Sequence, residues 1–167
     1  MSGPLIHLVV GGTGAGKSTY SSRLADEIGG LRFSIDPWMM QLFWKDSPTE
    51  ISFEWSMERV TRCVDQMCEV AGQAASRGMG SVFDVGFTTQ ANRAQVADFA
   101  SENGIQAKLH WIDVDPETRW ERVQRRNRER GETFAFPVTR WMFDFIEDLW
   151  EPPSENEMAA LQGVKVG

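Results

Sequence analysis

One stretch constrains this chain more than any other, VVGGTGAGKSTYSSRLADEIGG from Val9 to Gly30. The short apolar run Leu5 to Val10 leads into it, and Lys17 to Ile28 leads out as a helix that Gly29-Gly30 stops. The glycines between cannot pack as core. They let the backbone curl with its N–H groups turned inward, and the helix behind them adds the positive end of its dipole. Gly11-Gly12-Thr13-Gly14-Ala15-Gly16-Lys17-Ser18 satisfies G-x-x-x-x-G-K-[ST] between a strand and a helix, the context the mechanism needs. The expected occupant is the polyphosphate of a nucleotide such as ATP. In that reading Lys17 reaches the β- and γ-phosphates, Ser18 places its hydroxyl on a magnesium ion, and Thr19 is an ordinary helix residue beside them.

The rest of the chain alternates strand and helix patterns. After Leu5–Val10, broken only by His7, strands are expected over Leu31–Ile35, Ser81–Val85 and Gln106–Ile112. From Phe53, the positions Met57, Val60, Val64, Met67, Cys68, Ala71 and Ala75 recur at helical spacing as far as Gly78. Thr88 or Thr89 caps a helix to about Asn103-Gly104, and Pro116 opens another that runs into RVQRRNRERGE. Val138, Trp141, Met142, Phe145, Ile146 and Leu149 stripe a last helix, closed by Pro152-Pro153. Beyond Ser154 the pattern is weak, with Val164–Val166 as a short edge strand. Such alternation predicts one α/β domain over residues 1–167, a doubly wound parallel sheet that binds ligands at the carboxyl ends of its strands. His7 and His110, inside strands, are read as structural.

Charge narrows the partners. With 17 basic and 24 acidic residues the chain carries a net charge of -7, which argues against gripping long nucleic acid. No apolar run reaches the roughly 18 residues of a membrane span, and Met1 to Pro4 lack the pattern of a signal peptide. Cys63 and Cys68 lie five apart on one helix, facing different directions, so neither a metal pair nor a disulfide is expected and a reducing cytoplasm fits.

Phosphate loops serve switches, motors and small kinases. No Asn-Lys-x-Asp segment reads guanine here, and Asp84 is followed by Val85 and Gly86 rather than by the glutamate that activates water in motors. Transfer to an acceptor is therefore the expected reaction. It needs a base near the γ-phosphate, and Asp36 at the end of the second strand is the candidate, with capping of the next helix as its alternative role. Asp84, ending the third strand, is expected to hold magnesium through water or to meet the acceptor. Six of the thirteen arginines fall between Arg119 and Arg130. Arg126 and Arg130 are assigned to the transferring phosphoryl group, and Arg119, Arg122, Arg125 and Arg128 to surface pairing with the interspersed glutamates.

Over most of residues 5–150 the chain resembles the polynucleotide-kinase and zeta-toxin-like group of small P-loop kinases, which includes chloramphenicol phosphotransferase and gluconate kinase. Ser34-Ile35-Asp36 resembles the group's catalytic-base segment, and Phe83-Asp84 its strand-three aspartate. Arg126-Asn127-Arg128-Glu129-Arg130-Gly131, with Pro137, Arg140 and Met142, is similar to the lid of polynucleotide kinases. The resemblance implies a nucleoside-kinase-like P-loop fold, an arginine-rich lid at about 122–137, ATP and Mg²⁺, and Lys17, Asp36, Arg126 and Arg130 as catalytic residues. The chain departs from the group at Pro37-Trp38-Met39-Met40, where a basic or polar residue often meets an acceptor phosphate. Trp38, Phe43, Trp44, Phe53 and Trp55 make the insert at about 36–56 aromatic, which suits a flat or greasy small-molecule alcohol. Trp38, Asp36, Asp84 and Arg93 are the expected acceptor pocket. A nucleic-acid 5′-hydroxyl kinase and a nucleotide-binding switch that transfers nothing are the rival readings.

Overall fold

The computed structural model describes residues 3–132, 134 and 136–167; Met1 and Ser2, and Thr133 and Ala135 of the expected lid, lie outside the described residues. Five strands, β1 (Leu5–Val10), β2 (Leu31–Ser34), β3 (Ser81–Asp84), β4 (Gln106–Ile112) and β5 (Val164–Val166), pair in parallel in the order β2-β3-β1-β4-β5. The connecting helices are α1 (Lys17–Ile28), α2 (Ile35–Phe43), α3 (Phe53–Ala75), α4 (Gln90–Glu102), α5 (Pro116–Glu129), α6 (Arg140–Leu149) and α7 (Glu155–Ala160).

Alternation along the strands sorts side chains between two layers. Ile6, Leu8, Val10, Phe33, Phe83 and Leu109 meet Met67, Ala71 and Val96 from α3 and α4 in the larger core. Val9, Val82 and Ile112 turn to the other face and meet Ala25 of α1, with Tyr20 and Leu24 at the margin. Both faces being covered, β1 is apolar but for His7, and β3 has the adjacent apolar pair Val82-Phe83, one residue for each layer. Met67 is completely buried, so its truncation to alanine is expected to cost about 2–5 kcal/mol.

Local signals set the helix ends. Gly29 stops α1 in the left-handed conformation, φ 58°, and its N–H bonds the Asp26 carbonyl. Ser52 caps α3, Thr89 and Asn92 form a capping box on α4, and Asp115 caps α5 ahead of Pro116. Two regions differ from the sequence reading. β2 ends at Ser34, because Ile35 and Asp36 already belong to α2, which begins before Asp36 rather than after it. Beyond Ser154 the addition is α7, for which a Ser154–Glu157 capping box was the available signal, while β5 lies over Val164–Val166 as expected. Cys63 and Cys68 are free thiols as expected, yet both are buried, since the larger core wraps a wide arc of α3.

The register places the site. Ser34 pairs with Asp84, so the ends of β2 and β3 lie side by side, next to the loop that leaves central β1. This is the point where the connection from β1 to β2 and that from β3 to β4 run to opposite sides of the sheet, the place where such sheets bind ligands.

Candidate active site

The loop from Gly11 to Gly16 is built to present amides. Gly14 (φ 80°) and Gly16 (φ 96°) adopt left-handed conformations that a side chain disfavours. Ala15 N–H donates back to Gly12 O at 3.1 Å, which closes the curl. Among the described residues, the amides of Thr13, Gly14, Gly16, Lys17 and Ser18 donate to no protein acceptor, and no side chain caps α1. Unpartnered amides at a helix N-terminus form a ready anion site. Lys17 Nζ folds over the loop and donates to Gly12 O at 2.9 Å. Burial lowers the Lys17 pKa, an effect that the nearby Asp84 and Asp36 carboxylates partly offset.

The two aspartates are held differently. Asp84 is buried, and its Oδ2 accepts from Arg32 Nη2 at 2.9 Å and from Ser21 Oγ at 3.3 Å. Arg32 Nε also donates to Ser21 Oγ at 2.9 Å, so Arg32 and Ser21 lock the Asp84 side chain together. Its Oδ1 has no protein partner among the described residues. Asp36 makes no hydrogen bond at all among them; it stands in the first turn of α2 without capping it, and Ser34 is the residue at the cap position. Asp36 therefore does not do the capping that was its alternative role. Burial raises its pKa first and the charge of Asp84 adds to that, while Lys17, Arg126 and Arg32 pull the other way. Arg126 is thus within electrostatic reach of both Asp36 and Lys17, and its Nε is buried with no hydrogen-bond partner.

Other expected residues fall elsewhere. Arg93, expected at the acceptor, is 1% exposed and is taken up by structure: Nε and Nη2 bind Glu157 at 2.7 and 2.9 Å, and Nη1 donates to the carbonyls of Phe87 and Glu151. It clamps the C-terminal segment onto the β3–α4 turn, which leaves its guanidinium no freedom to meet an acceptor. Arg130 is exposed, in left-handed conformation at the end of α5, with its guanidinium 5.5 Å from the Phe134 ring centroid; it is not among the charges acting on Lys17 or Asp36. Trp38 is half-buried and sets its ring edge-on to Phe33 at 6.3 Å, so part of it belongs to the core. Arg59 covers Trp55 at 3.9 Å, which occupies one face of that ring.

Arg119 and Arg122 are not the surface pairs expected of them. Arg119 is 4% exposed, forks onto Glu147 of α6 at 2.8 and 2.9 Å, and donates from Nε to Val114 O and from Nη1 to Thr13 O. Arg122 Nη1 donates to Ala15 O at 3.2 Å. The spacing 119, 122, 126 marks one helical face, and that periodicity was the signal available in the sequence. His7 and His110 are structural as expected. Nδ1 of His7 and Nε2 of His110 lie 2.9 Å apart, and Tyr20 Oη is 2.8 Å from His110 Nδ1, in a buried chain beneath α1. Burial lowers both imidazole pKa values, that of His110 to about 4, so both rings are neutral at pH 7.

Residues 6–143, including the loop and both aspartates, match the family described as AAA domain. The chain belongs to this family. Its fold is that of P-loop kinases, as solved structures of low identity agree. Kti12 of Chaetomium thermophilum in complex with ADP-AlF₃ is 16% identical with a TM-score of 0.75, covering 98% of this chain and 89% of that one. A gluconokinase from Sinorhizobium meliloti is 15% identical with a TM-score of 0.61, covering 99% and 83%. A chain of the Pnkp1/Rnl/Hen1 RNA repair complex is 14% identical with a TM-score of 0.60, covering 89% of this chain and 44% of that one. No curated protein sequence matches significantly.

Proposed function

We propose that this chain is an ATP-dependent phosphotransferase that moves the γ-phosphoryl group to a hydroxyl of a small molecule. The observation that carries the reading is Asp36, a carboxylate with no protein hydrogen bond, raised pKa and Lys17 and Arg126 for neighbours. Such a group is a competent general base: it is exposed to an incoming acceptor, its pKa is raised by desolvation and then by Asp84, and Lys17, Arg126 and Arg32 oppose that shift. In the reaction the loop amides and Lys17 hold the phosphates, Asp36 accepts the hydroxyl proton, and the acceptor oxygen attacks phosphorus as the bond to ADP breaks. Arg126, its Nε without a protein partner, neutralises charge on the phosphoryl oxygens. Arg130, exposed at the end of α5, is assigned to the same phosphoryl group, and the kinetics of its alanine variant test its reach to that group.

The oxygen donors Ser18 and Asp84 suit Mg²⁺, a hard cation that prefers hydroxyl, carboxylate and water. Since Arg32 already occupies one Asp84 oxygen, that carboxylate would hold the ion through water. Bound there with the nucleotide, magnesium would supply charge neutralisation across the β- and γ-phosphates. The insert at 36–56 and its aromatic rings, Trp38 among them, are assigned to the acceptor side. Among the described residues no helix is long and apolar enough to cross a membrane, and the free thiols support a cytoplasmic setting.

Similarity to a chain of an RNA repair complex favours a second reading, an acceptor hydroxyl at a nucleic-acid end. One experiment addresses both. The protein, ATP and Mg²⁺ are incubated with a metabolite extract and, separately, with a 5′-hydroxyl oligonucleotide. Mass gain of one phosphate on a small molecule, abolished by Asp36→Asn, is the expected result; efficient end-labelling of the oligonucleotide would promote the second reading. ATP binding with no transfer to any acceptor would leave a nucleotide-dependent switch.

A further inference from the structure

We infer that Arg119 and Arg122 are positioning residues that orient the phosphate loop from behind, and that Arg119 is the reason Gly12 is glycine. The inference rests on the nucleotide site described above. Arg119 Nη1 donates to Thr13 O at 3.3 Å and Arg122 Nη1 to Ala15 O at 3.2 Å, so α5 draws two loop carbonyls toward itself. A trans peptide unit is planar, with its C=O and the following N–H pointing in opposite directions. Holding the Thr13 and Ala15 carbonyls therefore turns the Gly14 and Gly16 amides away from α5 and into the loop, and these amides have no protein acceptor. The two guanidiniums preorganise an anion nest that they do not enter.

Arg119 is itself fixed. Val114 O, the Glu147 carboxylate and the Phe143 ring, 5.5 Å away, surround it, so it cannot swing aside. Space confirms the tightness: a Cβ on Gly12 would overlap the Arg119 guanidinium, and one on Gly14 would stand 2.5 Å from Arg119 O. Position 12 is a free position of the loop pattern, so phosphate binding does not ask for glycine there. The guanidinium packed against it does. Glu147 lies on α6, the helix that follows the lid segment, so the same ion pair ties that helix to the Thr13 peptide.

Two arms test this. In the first, tripolyphosphate and ADP are titrated into wild type, Gly12→Ala, Arg119→Ala and the double variant. Gly12→Ala is expected to weaken both ligands by about tenfold or more in the wild-type background and by less than about twofold once Arg119 is gone, tenfold corresponding to one lost charged hydrogen bond. Equal losses in the two backgrounds would overturn the assignment of Gly12 to Arg119. In the second arm, which needs no ligand and survives any folding defect of Arg119→Ala, backbone order parameters of Gly14 and Gly16 are measured in wild type and Arg122→Ala. The Gly16 value, whose preceding carbonyl Arg122 holds, is expected to be about 0.85 in wild type and to fall toward about 0.6 in the variant, while Gly14, held through Thr13 by Arg119, stays near its wild-type value; an unchanged Gly16 value would sink the positioning role. A wild type that binds neither tripolyphosphate nor ADP defeats the nucleotide-site reading instead, and the order parameters still decide the inference.

Discussion

Arg93, fully buried, and Arg126, half-buried with an enclosed Nε, are treated by the structure in opposite ways. Arg93 has a bidentate carboxylate and two carbonyls. Arg126 leaves a buried Nε without a partner, beside an Asp36 and a Lys17 whose pKa values are pushed toward their neutral forms by burial. A buried polar group left unpaired costs about 1–3 kcal/mol; among the described residues Ser81 Oγ at the start of β3 shares this state, and Arg126 differs from it in standing beside Lys17 and Asp36. The saturated region is architecture, and the unsaturated one is where the proposed site lies.

The largest expected effect is on the unsaturated side. Asp36→Asn should lower transfer by about 10²–10⁴-fold while nucleotide affinity is kept, as read from kcat and ADP titration. Transfer within a few-fold of wild type would remove Asp36 from the mechanism. On the saturated side, Arg93→Ala should cost about 3 kcal/mol of stability by denaturant titration, because it strands a carboxylate and two carbonyls. Folded Arg93→Ala should bind ADP normally; a specific loss of binding would blur the comparison. Next in size, Arg126→Ala should lower kcat by about ten- to a hundredfold with little change in stability, since no protein partner loses a bond to its Nε.

The smallest effect is on pH dependence. A carboxyl whose folded pKa is raised binds its proton more tightly in the folded state, so it subtracts stability as pH climbs from the ordinary aspartate value to the raised one, and the deficit then persists. Asp36→Asn should therefore melt higher than wild type at pH 7, with the difference vanishing below about pH 4. Parallel melting curves across that range would mean the Asp36 proton is not coupled to folding. For the same reason the acidic limb of the wild-type kcat/KM profile should lie above that of an ordinary aspartate.

Much of this was legible in the chain. The motif Gly11 to Ser18 and the strand–helix alternation are local, written in glycine conformations and periodicity, and they determined the parallel sheet and the loop. The bounds of α1 and β4 were legible for that reason, as was the strand-end position of Asp84. Asp36 was legible as a residue type, but not that it stands inside α2 uncapped and unbonded. The roles of the arginines were decided only by tertiary structure. Arg93, Arg119 and Arg126 are chemically identical in sequence, and a guanidinium becomes clamp, brace or ligand-facing cation according to which carboxylates and carbonyls lie within about 3 Å of it. Those partners, Glu157 for Arg93 and Glu147 for Arg119, are 64 and 28 residues away along the chain. No local periodicity carries such distances; they exist once the sheet has brought the C-terminal segment and α6 back over the ends of its strands.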